Sequence, residues 1–160
     1  MTQRETRARG TVREIHARGI VPGTGSGPAL VSPEAISFLG DLDIKSGKIV
    51  NQRHPLLGVS ISGHVLVLPH SVGSAGAWRF LYQLFVHGTH PVAILQHKLP
   101  DSSLVQGAIL AKIPILCEPD ADILTVIRTG DLVEVDGTTG LVRVTAAAGA
   151  SRTAEAGSPA

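Results

Sequence analysis

The run Val65-Leu66-Val67-Leu68-Pro69-His70-Ser71-Val72-Gly73-Ser74-Ala75-Gly76-Ala77-Trp78-Arg79-Phe80 changes its period partway along. Four apolar residues, half of them β-branched and bounded by Pro69, predict a strand buried on both faces. A short Gly-Ser turn follows. From Ala75 onward Ala77, Phe80, Leu81, Leu84 and Phe85 recur at helical spacing. Ser74 occupies the place where a helix N-cap is expected. A strand joined to a helix in this way aims backbone N–H groups and a positive dipole end at one spot, suited to a carboxylate, a phosphate or a nascent alkoxide.

Working outward, Gly88 and Pro91 close that helix, and Val92 to Leu95 reads as the next buried strand. Leu104, Val105, Ala108 and Ile109 give helical spacing to 102–112, with Asp101 or Ser102 as the cap. Ile115 to Cys117 is a third core strand. Strand–helix–strand–helix–strand implies a parallel sheet flanked by helices, an α/β fold. The right-handed crossover rule then puts Ser74 at a carboxyl edge of the sheet, where open α/β sheets bind ligands.

Toward the N-terminus, residues 1–9 read as a flexible arm and 10–18 as a weakly periodic strand. Residues 21–28, with three glycines and two prolines in eight positions, read as a surface loop that also matches a ligand loop loosely. Residues 29–31, 36–38 and 48–50 read as strands and 41–47 as a turn. Leu132 to Asp136 and Leu141 to Val144 alternate around Gly137 and Gly140, which predicts a hairpin. From Thr145 to Ala160 the chain is Ala, Gly, Ser, Thr and Pro with few other residues, and a disordered tail is expected.

Composition narrows the function. A formal charge of +1 and an aromatic content of 3% argue against nucleic acid or a membrane surface as partner. The polar, Arg-rich start has no signal-peptide core, so a cytoplasmic location is expected. One cysteine, Cys117, allows no internal disulfide and no iron–sulfur cluster held by this chain alone. Its apolar neighbours predict a core residue, and no metal site is expected.

The order of Gly27 to Val31, Ser37-Phe38-Leu39-Gly40, Arg53-His54-Pro55-Leu56, Gly63 to Pro69, Gly73-Ser74, Gly107-Ala108, and Gly130-Asp131 with Val135-Asp136 resembles the small subunit, or swivel domain, of the aconitase X family of hydro-lyases. The resemblance spans residues 10–144. It implies a swivelling β/β/α domain, in which the parallel core sheet with its flanking helices adjoins a β-barrel-like layer. It also implies a large catalytic partner subunit that carries an iron–sulfur cluster, with a heterodimer sharing one active site. The family's catalytic base is a serine in the Gly-Ser turn, and Ser74 stands at that position. Gly73, His70, Ser71, Arg53 and His54 are the candidate substrate-binding residues.

The family pattern places an arginine before the glycine, where this chain has Val72, and more serine after the catalytic position, where it has Ala75 and Gly76. A missing guanidinium weakens a phosphate grip. That favours dehydration of a small hydroxy acid such as cis-3-hydroxy-L-proline over dehydration of mevalonate 5-phosphate, the alternative. A non-catalytic interaction module with the same fold, or a stand-alone anion binder at the helix N-terminus, are the readings from other classes. Ser74 as a simple helix cap is the corresponding reading for the residue.

Overall fold

The computed structural model describes residues 10–148. The expected arm at 1–9 and most of the expected tail fall outside the described residues. In chain order the elements are β1 (Val12–His16), β2 (Arg18–Val21), β3 (Thr24–Val31), β4 (Val65–Leu68), α1 (Ala77–Val86), β5 (Ala93–Gln96), α2 (Ser102–Ala111), β6 (Ile115–Cys117), α3 (Ile123–Val126), β7 (Leu132–Asp136) and β8 (Leu141–Thr145). Among the described residues no helix is long and apolar enough to cross a membrane.

The strands hydrogen-bond in the order β1-β8-β7-β3-β4-β5-β6-β2. β3, β4, β5 and β6 are parallel, as the strand–helix alternation predicted. β1, β8, β7 and the first half of β3 are antiparallel. β3 therefore belongs to two layers. Its residues 24–28 pair with β7, and its residues 29–31 pair with β4. β1 and β2 are consecutive in the chain yet stand at opposite ends of the order. The layer must curl to join them, which is the barrel-like half of a β/β/α swivel fold.

Two cores follow from the period-2 alternation of the parallel strands. Leu66, Leu68, Ile94 and Ile115 face the helices with Leu81, Leu84, Leu104 and Ala108. Val65, Val67, Ala93, Leu95 and Leu116 face the opposite side with Ile15, Val133, Val135, Val142 and Val144. Every residue of β4 is fully buried, as a strand with two covered faces requires. Cys117 lies in this interior as expected.

The structure corrects four expectations. The supposed loop at 21–28 is mostly strand: Thr24 to Pro28 pair with Asp136 to Leu132. Its glycines serve close packing, because a Cβ on Gly25 would lie 2.6 Å from the Val92 carbonyl oxygen and one on Gly27 2.7 Å from that of Gly63. Residues 36–38 and 48–50 make isolated bridges (Ile36 to Ser71, Lys48 to Ser60, Leu42 to Ile49) and no strand. Their short apolar runs are anchored in the helix-side core instead, through Ile36, Phe38 and Ile49. Thr145, expected to begin the tail, ends β8, and the Ala147 N–H donates to Asp131 Oδ1 at 3.1 Å. The fourth correction concerns Ser74.

Candidate active site at the carboxyl edge of the parallel sheet

β3, β4 and β5 end side by side, and the segments that leave them interlock. The Ser32 N–H donates to the Val67 carbonyl at 2.7 Å, continuing the β3–β4 ladder past the strand. The N–H groups of His97 and Lys98 both donate to the Pro69 carbonyl, at 3.2 and 3.3 Å. Ile36 bridges Ser71, and the Val72 N–H donates to the Ile36 carbonyl at 3.0 Å. The 69–76 turn is thus held on one side by the end of β5 and on the other by the segment leaving β3.

Within that turn Ser74 is partly exposed. It is not the N-cap. Gly76 is, with no side-chain cap bond of its own. The Ser74 carbonyl accepts the Ala77 N–H at 3.1 Å, and its Oγ accepts the Gly76 N–H at 3.4 Å. Two residues, Ala75 and Gly76, separate Ser74 from the helix and form a turn. The cap comes from another element: Ser103, on the first turn of α2, accepts the Trp78 N–H at 3.1 Å and donates to the Ala75 carbonyl at 3.2 Å. The Arg79 N–H is taken by the Gly76 carbonyl at 3.1 Å. With Ala77, Trp78 and Arg79 occupied, the helix start no longer offers the open cradle of N–H groups expected from sequence. What it offers Ser74 is a single N–H, from Gly76, directed at the hydroxyl oxygen.

The remaining candidates separate into two groups. His70, Ser71 and Gly73 share the turn with Ser74. Ser71 Oγ is buried without a hydrogen-bond partner. Gly73 has no positive φ, and a Cβ there would meet Asp101 Oδ2 only at 3.5 Å, an ordinary contact. Packing within this chain therefore does not require glycine at 73. Arg53 and His54 lie in a separate turn that reaches the site through β3. The His54 ring is buried. Its Nδ1 accepts the Leu56 N–H at 3.0 Å, which places the proton on Nε2, 3.3 Å from Ser32 Oγ. Ser32 Oγ in turn donates to the Glu34 carbonyl. The Nε2 contact ties this turn to the segment leaving β3, the Nδ1 contact closes the turn on itself, and the adjacent Arg53 is exposed.

Sequence reading missed two participants and part of the role of a third. Ser103 caps a helix 25 positions away, a relation no local pattern reveals. Asp101 caps α2 as expected, accepting the Leu104 N–H at 3.4 Å, but its second oxygen also faces Gly73. Gln96, fully buried at the end of β5, donates through Nε2 to the Lys98 carbonyl at 2.7 Å and leaves Oε1 without a partner. A polar end to an apolar strand was the available signal.

Among the described residues no three His, Cys, Asp or Glu side chains gather to hold a metal, and Cys117 is buried with its thiol pKa pushed up, first by burial and then by Glu118.

Comparison with known proteins agrees with this fold. The aconitase X swivel domain family matches residues 14–144. The phosphomevalonate dehydratase small subunit of Methanothermobacter thermautotrophicus is 38% identical over 130 residues, covering 81% of this chain and 98% of that protein. The small subunit of the same name from Methanocella arvoryzae is 36% identical over 131 residues, covering 82% and 98%. The crystal structure of Thermococcus kodakaraensis aconitase X in its holo-form superposes with a TM-score of 0.76 at 30% identity, covering 82% of this chain and 98% of that one.

Proposed function

The chain belongs to the aconitase X swivel-domain family, and we propose that it is the small subunit of a hydro-lyase whose general base is Ser74. The observation that carries this is the position of the Ser74 hydroxyl: partly exposed at the carboxyl edge of the sheet, on a turn braced from both sides, with a backbone N–H directed at its oxygen.

The reaction is removal of water from a hydroxy acid. A C–H bond next to the carboxylate breaks, a C–O bond on the neighbouring carbon breaks, and a C=C bond forms. This chain acts on the proton. A serine hydroxyl is a weak base unless its oxyanion is stabilised, and the Gly76 N–H directed at its oxygen favours the charged form. That bond strengthens when water leaves the site, because fixed dipoles act more strongly at low dielectric. Closure by the large subunit excludes that water. The iron–sulfur cofactor expected of the family is assigned to that subunit.

For the substrate, mevalonate 5-phosphate is the better-supported choice, since the relatives just described are named phosphomevalonate dehydratase small subunits. With Val72 in place of the family's arginine, phosphate contact falls to the exposed Arg53 or to the large subunit. Dehydration of cis-3-hydroxy-L-proline is the second reading, and Val72 is the feature that favours it.

The test is co-expression with the large subunit and assay of water loss from both hydroxy acids. Ser74→Ala is expected to lower kcat by roughly 10²–10⁴-fold, the usual contribution of a positioned base, while subunit association and melting temperature stay unchanged. Full activity in that variant removes Ser74 from the mechanism.

A further inference from the structure

The outer surface of the helix layer does not look like one made for water. α1 and α2 together contribute twenty residues and a single charge, Arg79. α1 carries four of the chain's five aromatic residues: Trp78, Phe80, Tyr82 and Phe85. Ile109 and Leu110 on α2 are 58% and 53% exposed. They line, with Trp78 and Gln106, a groove of about 340 Å³ that is almost wholly apolar. Trp78, Tyr82 and Phe85 recur on one stripe of α1, so the apolar face continues along that helix beyond the groove. Contiguous exposed apolar surface of this kind marks an interaction site, and Trp, Tyr and Arg are the residues on which binding energy concentrates.

Charge identifies the occupant. Arg79 stacks on the Trp78 ring at 5.3 Å, and among the described residues no carboxylate pairs with it. It sits in the first turn of α1, where the helix dipole disfavours a cation. A carboxylate arriving from outside would relieve that cost. A second copy of this chain does not supply one. A two-fold interface brings the same patch to both sides, and neither α1 nor α2 contains an acidic residue. Position points the same way: Trp78 lies four residues beyond Ser74, so a body that closes over Ser74 reaches the head of this groove.

We infer that the large subunit docks on the α1–α2 face, placing an apolar surface in the Trp78–Ile109–Leu110 groove and a carboxylate against Arg79. This rests on the reading of the chain as a hydro-lyase small subunit and adds the surface through which the two subunits hold together.

The full chain and its large subunit are co-expressed and their affinity is measured by titration. Ile109→Glu combined with Leu110→Glu is expected to weaken association more than about tenfold, as is Arg79→Glu, with Arg79→Lys affected less. Leu132→Glu, an exposed apolar position on the antiparallel hairpin, is expected to bind as wild type. Circular dichroism of each isolated variant checks that it is folded. Normal affinity in both the groove variant and Arg79→Glu overturns the assignment. So does an isolated wild-type chain that dimerises through this face and becomes monomeric in the groove variant. A groove variant that still binds and works, beside an inactive Ser74→Ala, leaves the catalytic reading intact and removes only this surface. Failure of the wild-type pair to associate at all removes both.

Discussion

His90 shows how one side chain links burial to pH. Its Nδ1 is buried with no partner, its ring meets Phe85 edge-on at 5.2 Å, and burial lowers its pKa from 6.5. A base with a depressed folded-state pKa leaves the unfolded chain binding more protons. Its contribution to stability is complete above the unfolded value and disappears as pH falls through the folded one. Asp136 and Asp43 are also lowered, by hydrogen bonds from Thr139 and Thr138 and from Ser46 respectively, but from 3.8, so they act in a more acidic range. Melting temperature is therefore expected to decline between about pH 7 and pH 5, and His90→Asn is expected to flatten that part of the profile. An unchanged slope in the variant would take His90 out of the account.

At the scale of elements, the contact between α1 and α2 depends on Gly107. A Cβ there would sit 2.8 Å from Trp78 Cα and 2.9 Å from the Trp78 carbonyl oxygen, both backbone atoms that no rotamer change can move. Two effects oppose each other in Gly107→Ala. Alanine gains about 1 kcal/mol of helix propensity, whereas overpacking costs about 1–3 kcal/mol. Backbone obstruction on a buried face puts this site at the upper end of the cost, so a net loss of about 1–2 kcal/mol is expected as a lower urea midpoint. The same close approach brings Ser103 within reach of the Trp78 N–H. Loosening the helix pair therefore also disturbs the start of α1 and, through it, the Ser74 turn.

For the whole molecule, the decisive feature is how the barrel-like layer closes. The Ala17 N–H donates to the Gly140 carbonyl at 2.8 Å and the Gly137 N–H to the Gly23 carbonyl at 2.7 Å, which ties the β7–β8 turn to the chain between β1 and β3. Backbone meets backbone here: a Cβ on Gly137 would lie 2.1 Å from the Val21 carbonyl oxygen, and one on Gly19 1.9 Å from that of Gly137. Gly137→Ala must open this seam. The expected loss is about 3 kcal/mol or more, larger than for Gly107→Ala, because two hydrogen-bonded segments separate along with the clash. Thermal unfolding gives the size of the effect, and faster amide exchange confined to β2 and the hairpin turn gives its location. A variant as stable as wild type would show that the layer does not depend on this closure.

Period and punctuation in the chain were enough for the parallel core. Val65 to Leu68, the α1 stripe, the Asp101 cap and the β7–β8 hairpin are each specified by residues adjacent in sequence, and Ser74 follows from the turn between two of them. Local signals failed where the determining neighbour was distant. Thr24 to Pro28 carries the marks of a loop but pairs as strand because its glycines admit the Val92 and Gly63 carbonyls. The His54 Nε2 is held by Ser32, 22 positions away, and the α1 cap is supplied from α2. In each case the energy lies in a hydrogen bond or a close contact between segments that meet only after the chain has folded, and no pattern within either segment encodes that meeting.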